Sequence, residues 1–319
     1  MTQTDRIEIV ATVASEWCDP EHRPRQEATQ AALAADNRFT EGAIVYTLNH
    51  WMHACTPEAL DAVIAEVPDT DPPGWVGVRH GAERPAEGLA EACLLLASGY
   101  GYAGRLSETA AALVPAVMDS IRALWPRAPI RMATDDAVLN GAGSVIAKKE
   151  SPSISLIDGN ETGTEREGWA EDALLYEGQG RSVSVVFAPH GLNPDPYFEA
   201  LAQFRGVVPA HDDTPGALQM QQAFLEAQEA PYACADDLSF LVSRGAPEVH
   251  ASAHLRWVPY ETLDEVTDWI TTHAAKWHAV TVRSHLHDHL SLPLPVYEPG
   301  TLHRPSLEAV ARSVADGLR

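Results

Sequence analysis

SPSISLIDGNETGTEREGWAEDALLYEGQGRSVSVVFAP, residues 151–189, decides how this chain folds. SISLID reads as a strand, TEREGWAEDALLY as an acidic helix and VSVVFAP as a second, largely apolar strand. A strand, a helix and a strand in this order form a parallel β–α–β unit. Between the helix and the second strand lies YEGQGRSVS, a bend of small residues and glycines where a backbone can approach a substrate closely. It offers two serines, a glutamate and an arginine, and no thiol.

The same alternation extends in both directions. Upstream, helices are expected over RQEATQAALAA, over TEGAIVYTLNHWMHA after a Thr40 cap, and over TPEALDAVIAEV with Thr56 as cap and Pro57 in the first turn. After the break PDTDPPG come a strand WVGVRH, a helix PAEGLAEACLLLASG, a strand YAGRLS, a helix ETAAALVPAVMDSIRALW and a strand IRMAT. Downstream come a helix from Asp195-Pro196, a helix around ALQMQQAFLEAQ, and strands DLSFLVS and AHLRWVPY. A helix from the capping box Thr262…Glu265, a strand HAVTVRS and a final helix PSLEAVARSVADGL complete the pattern. The composition shift at residues 141–153 marks a boundary. We expect an α/β protein with residues 1–150 as N-terminal helices plus a Rossmann-like domain and 151–285 as a second α/β domain. Residues 286–319 form a C-terminal segment returning to the first domain or to a dimer interface. At 319 residues the chain is long enough for two cores.

Charge narrows the partners. Asp and Glu number 45 against 22 Lys and Arg, a formal net charge of −23. Such a surface repels nucleic-acid phosphates and anionic lipid, so neither nucleic-acid binding nor membrane insertion is expected. Lysine occurs only at Lys148, Lys149 and Lys276, and the acidic excess suits a high-salt cytoplasm, where screening removes self-repulsion. There is no run of eighteen apolar residues, and MTQTDRIEIV lacks a signal-peptide profile, so a cytoplasmic location is expected. Cys18, Cys55, Cys93 and Cys234 are too scattered for a disulfide framework or a structural zinc site. Cys93, Trp51, Met52 and Trp269 read as packing residues.

The segment 151–189, with DNRFTEGAI near the N-terminus and RPAEGL…LLLASGYGYAGRLSE in the first half, resembles acyl-CoA reductases of the bacterial bioluminescence type, within the aldehyde dehydrogenase superfamily. LIDGNET is the most specific piece. The resemblance implies an aldehyde-dehydrogenase-like fold, NADPH as hydride donor, and reduction of an acyl thioester through a cysteine-bound intermediate; it also implies a homodimer.

Thioester exchange needs a thiolate to hold the acyl group while CoA leaves. By the resemblance the cysteine belongs at Gly180, and its neighbours Gln179, Arg181 and Ser182 supply none. Ser182 or Ser184 would need an adjacent base, and no histidine is nearer in sequence than His190. The implied oxyanion donor, an asparagine, is replaced by Glu83, whose carboxylate repels an oxyanion. For the cofactor, Arg105 stands where a lysine beside the adenosine ribose is implied, followed by Ser107 and Glu108. Thr134 precedes Asp135 and Asp136, where a Gly-Ser pair of a phosphate loop is implied. Gly141 and Gly143 are too weak a pattern for a dinucleotide fingerprint.

HLHDHL places His285, His287 and His289 on one face if extended, the alternation a metal site would use; a solvated histidine cluster is the favoured reading. Asp158, Asn160 and Glu161 are expected to hold a loop in place. The expectation is thus an acyl-CoA reductase-like protein without its nucleophile, binding acyl-CoA, a nucleotide or a partner protein. The alternative is an active NADPH-dependent reductase.

Overall fold

The computed structural model describes residues 1–68, 74–147, 151–287 and 290–318. The chain divides into two compact units, Met1–Lys148 with Pro305–Arg319, and Lys149–Arg304. Residues 286–304, grouped above with the C-terminal segment, belong to the second unit; the return to the first begins at Pro305.

The first unit opens with helices α1 (Gln3–Cys18), α2 (Arg23–Leu33), α3 (Glu41–Ala54) and α4 (Pro57–Ile64). Thr40 and Thr56 cap α3 and α4, and Pro57 starts α4, as the sequence predicts. Helix α1 is an addition to the sequence reading. Thr2 and Asp5 close a capping box at its start, and Ile7, Val10, Ala14 and Trp17 bury one face.

Then follow β1 (Trp75–Arg79), α5 (Leu89–Ser98), β2 (Gly101–Arg105), α6 (Leu113–Leu124), β3 (Ile130–Ala133) and β4 (Ser144–Ala147). They form a parallel sheet in the order β3-β2-β1-β4. The helix expected over residues 108–125 begins instead as a 3-10 turn, Glu108–Ala110, with α6 starting at Leu113. Pro115 explains the break. It sits in the first turn of α6, whereas a helix from Glu108 would place it in the interior, where it removes a hydrogen bond and clashes with the preceding turn.

The second unit runs β5 (Ser153–Leu156), α7 (Gly163–Leu174), β6 (Val183–Pro189), α8 (Asp195–Val207), α9 (Thr214–Ala227), β7 (Tyr232–Cys234), β8 (Leu241–Arg244), β9 (His254–Tyr260), α10 (Leu263–His273), β10 (Val280–Thr281), α11 (Ser284–His287) and β11 (Val296–Tyr297). Helix α12 (Leu307–Leu318) then returns to the first unit. The seven strands order as β11-β10-β5-β6-β9-β8-β7 and are parallel except for the β7–β8 pair. Along the central strand β6, Val186 and Ala188 enter one hydrophobic cluster while Val185 and Phe187 enter another. Both faces are covered, which is why VSVVFAP carries no polar alternation.

Candidate functional site

The LIDGNET turn joins β5 to α7. Buried Glu161 accepts hydrogen bonds from the Asp158 N–H at 2.8 Å, the Gly159 N–H at 3.1 Å and the Tyr197 hydroxyl. Asp158 Oδ1 accepts from the Asn160 N–H at 2.9 Å, and Thr162 and Glu165 close a capping box on α7. Arg283 donates to Glu165 at 2.8 Å and reaches Asp158 at 3.4 Å. Burial, then the Glu161 bond, pushes the Tyr197 hydroxyl far above its usual range. These carboxylates satisfy orphan N–H groups at a strand-to-helix corner.

The bend that follows α7 turns through three left-handed residues, Glu177 at φ 56°, Gly178 at 68° and Gly180 at 57°. Three hydrogen bonds fold it, Glu177 N–H to Leu174 C=O at 3.0 Å, Gln179 N–H to Tyr176 C=O at 2.9 Å and Ser182 N–H to Gln179 C=O at 3.0 Å. Gly178 is required twice over: besides its φ, a Cβ there would stand 2.6 Å from the Ala253 nitrogen. Non-glycine Glu177 tolerates its conformation because its buried carboxylate is gripped from two helices. Arg205 Nη1 of α8 donates at 2.8 Å and Thr214 Oγ1 of α9 at 2.5 Å. Arg205 Nε also donates to the Ser239 carbonyl.

Of the loop residues singled out in the sequence, Gln179 and Gly180 are partly open while Arg181 and Ser182 are buried. Ser182 Oγ is buried with no hydrogen-bond partner among the described residues, so no base activates it. Ser184 is buried within β6. The second unit's one cysteine, Cys234, lies on edge strand β7, three strands from β6 across β9 and β8, or about 14 Å at the usual strand spacing. Cys93 is buried on α5 in the core of the first unit, and the adjacent Cys55 thiol together with burial pushes its own thiol up.

In the first unit, Arg79 ends β1 and Arg105 ends β2, and the two are register partners. Both guanidinium groups meet the carboxylate of Asp136. Arg79 Nη1 approaches Oδ1 at 2.7 Å and Nη2 approaches Oδ2 at 3.3 Å, while Arg105 Nε approaches Oδ1 at 3.3 Å. The Arg79 bond holds the Asp136 carboxyl below its usual range. Asp135 accepts from the Ala137 N–H, capping the 3-10 turn Asp136–Leu139. Thr134 is exposed, Ser107 shares a hydrogen bond with Thr109 at 3.1 Å, and Glu108 is exposed in its own 3-10 turn.

A dinucleotide phosphate brought to this edge would meet a carboxylate already holding both arginines. The carboxylate's negative charge repels an incoming phosphate and competes with it for the two guanidinium groups. The residues present do not fit a nucleotide phosphate between these arginines.

Glu83 is half-buried in the turn between β1 and α5. His80 shapes that turn. Its Nδ1 lies 2.6 Å from the Glu87 carbonyl and its Nε2 2.5 Å from the Tyr102 hydroxyl, beside a buried Arg84–Glu87 pair.

The histidine alternation meets a different backbone. His285 and His287 sit on α11, one helical turn, where residues two apart diverge instead of sharing a face. His285 Nε2 pairs with Asp158 Oδ2 at 3.1 Å, and His287 is exposed. His289 lies outside the described residues. Among the described residues no group of three His, Cys, Asp or Glu could hold a metal ion, and no helix is long and apolar enough to cross a membrane. Sequence reasoning missed Arg79, Arg205 and Thr214 and gave no role to Glu177 of the bend, because their partners are distant along the chain.

No family model and no curated protein matches the chain. Solved structures do. An NAD-dependent benzaldehyde dehydrogenase from Corynebacterium glutamicum is 13% identical over 93% of this chain and 81% of its own, with a TM-score of 0.67. An NADP-dependent glyceraldehyde-3-phosphate dehydrogenase from Bacillus halodurans, complexed with NADP, is 10% identical over 94% and 79%, with a TM-score of 0.65. HpcC from Thermus thermophilus is 13% identical over 96% and 80%, with a TM-score of 0.62. At these identities the likeness is one of fold.

Proposed function

We propose that this chain, which has the aldehyde-dehydrogenase-like fold with a Rossmann-type domain, is a binding homologue of that fold without covalent acyl turnover. The observation that carries the reading is the bend at residues 176–182. The resemblance of its flanking sequence to acyl-CoA reductases implies a cysteine, and here the backbone is a glycine in the left-handed region. A thioester needs a thiolate to receive its acyl group, and a buried serine without a base does not replace it. Glu177, Arg205 and Thr214 hold the bend in shape, so the surface formed by Gln179 and Gly180 stays organised for contact without chemistry.

An acyl-CoA held at the bend of the second unit, or a partner protein, is the class of occupant. Neighbours of the same fold are named as NAD- or NADP-dependent, but with Asp136 already between Arg79 and Arg105 no nicotinamide nucleotide is assigned to the first unit. The acidic sequence and the resemblance to acyl-CoA reductases support a cytoplasmic homodimer as part of the same proposal. Fold alone assigns no chemistry, so the reading rests on these residues.

The test combines two measurements on the unmodified protein in molar KCl. Intact-mass spectrometry after incubation with short and long acyl-CoAs should show no adduct, and with NADPH no aldehyde should form. Thermal unfolding with the acyl-CoAs identifies the occupant, since ligand at 100 times Kd stabilises by ~2.7 kcal/mol, while NADPH and NADP should give no shift. No shift with any of them assigns the surface to a protein partner. An acyl adduct or catalytic aldehyde production overturns the reading and restores an active NADPH-dependent reductase.

A further inference from the structure

We infer that Asp136 is a built-in anion that closes the carboxyl edge of the first unit's sheet to phosphate-bearing nucleotides. In open parallel sheets, ligands bind outside the carboxyl ends of the strands, next to the point where the strand order reverses. In the order β3-β2-β1-β4 that reversal falls at β1. The residues ending β1 and its neighbour β2 are Arg79 and Arg105, directly opposite in register. Like charges placed opposite each other repel. The pair therefore needs an anion between its guanidinium groups, which a ligand or the protein can provide.

The protein provides it. Arg79 presents a two-pronged contact to Asp136, at 2.7 and 3.3 Å, and Arg105 adds a third at 3.3 Å to the same carboxylate. The Arg79 contact is the fork geometry with which arginine grips a phosphate, and Arg105 adds an ion pair without a hydrogen bond from its Nε. Asp136 is also held at its base, because Asp135 caps the turn in which it stands. The three side chains remain open to solvent, with Asp136 at 63% exposure, so the barrier is electrostatic occupation and not burial. This inference concerns the first unit alone and is independent of the missing thiol in the second.

Isothermal titration of the full chain with NADP and with adenosine 2′,5′-bisphosphate, and with adenosine as the phosphate-free control, tests it. Wild type should show no saturable binding of either phosphate compound at millimolar concentration. Asp136→Asn, and as a second variant Asp136→Ser, should bind both at least tenfold more tightly, with adenosine unaffected. Adding Arg79→Gln and Arg105→Gln to Asp136→Asn should abolish the gain. Circular dichroism melting confirms that each variant is folded, and a substitution at so exposed a side chain removes little packing. The inference is overturned if wild type and Asp136→Asn bind NADP equally, if neither binds, or if the gain survives loss of both arginines. An acyl adduct on the second unit would refute the proposed function without touching this result.

Discussion

Glu177 combines three liabilities: a left-handed backbone, a buried carboxylate and a place in the bend most open to functional interpretation. It is stable there because Arg205 and Thr214 complete its hydrogen bonding. Glu177→Gln leaves the Arg205 guanidinium buried without its charge partner, and breaking such a pair costs about 3–5 kcal/mol. Urea unfolding should register that loss, and Glu177→Leu combined with Arg205→Met should recover a substantial part of it. A variant as stable as wild type would show that the pair does not hold the bend.

His254 offers a second test of the same unit. Its Nε2 meets Ser243 Oγ at 2.7 Å and its ring stacks on His250. Burial first, then His250 and Arg256, push its pKa down to about 3. The folded state thus keeps the imidazole neutral where the unfolded chain takes up a proton near pH 6.5. The contribution is full above pH 6.5 and is lost as pH falls toward 3, at up to ~1.4 kcal/mol per pH unit. Denaturant unfolding between pH 7.5 and 4.5 should show this slope, and His254→Gln should flatten it.

Elements differ in how openly the sequence declares them. The β5–α7–β6 unit is legible because each piece carries its own signal: an apolar run, a helical stretch between turn residues, a second apolar run. The observed spans fall within or at the edge of the stretches read. Strand β4 is hidden because it has only four residues, with only Ile146 buried, inside a segment that reads as a linker. Edge strands β7 and β11 have three and two residues and exist through pairing with β8 and β10. Period-two histidines in HLHDHL cannot distinguish a strand from one helical turn, and the backbone is the latter. The candidate site follows the same division. The glycines of the bend announce a turn, whereas the meeting of Arg79, Arg105 and Asp136 depends on strand register and a turn 57 residues downstream of Arg79. Parallel strands joined by long crossovers show which of their end residues meet only once the crossovers have packed, so neither strand's own pattern announces the pair.

The net charge of −23 acts on the entire chain. Added salt has two opposing effects: it weakens ion pairs such as Arg304–Glu171, and it screens repulsion among the excess carboxylates. Counting decides between them. Even if every one of the 22 Lys and Arg were paired, 23 of the 45 acidic side chains would stay uncompensated, and exposed pairs contribute only ~0–1 kcal/mol each. Screening therefore dominates. Raising KCl from 0.15 to 1 M shortens the Debye length from ~8 to ~3 Å, so the melting temperature should rise over this range and NaCl should act alike. The effect should shrink as the pH approaches the isoelectric point of about 4.8, where the excess charge disappears. A melting temperature that is flat or falls with KCl at pH 7.5, or a salt increment equally large near pH 4.8, would mean that the acidic excess is not what salt acts on.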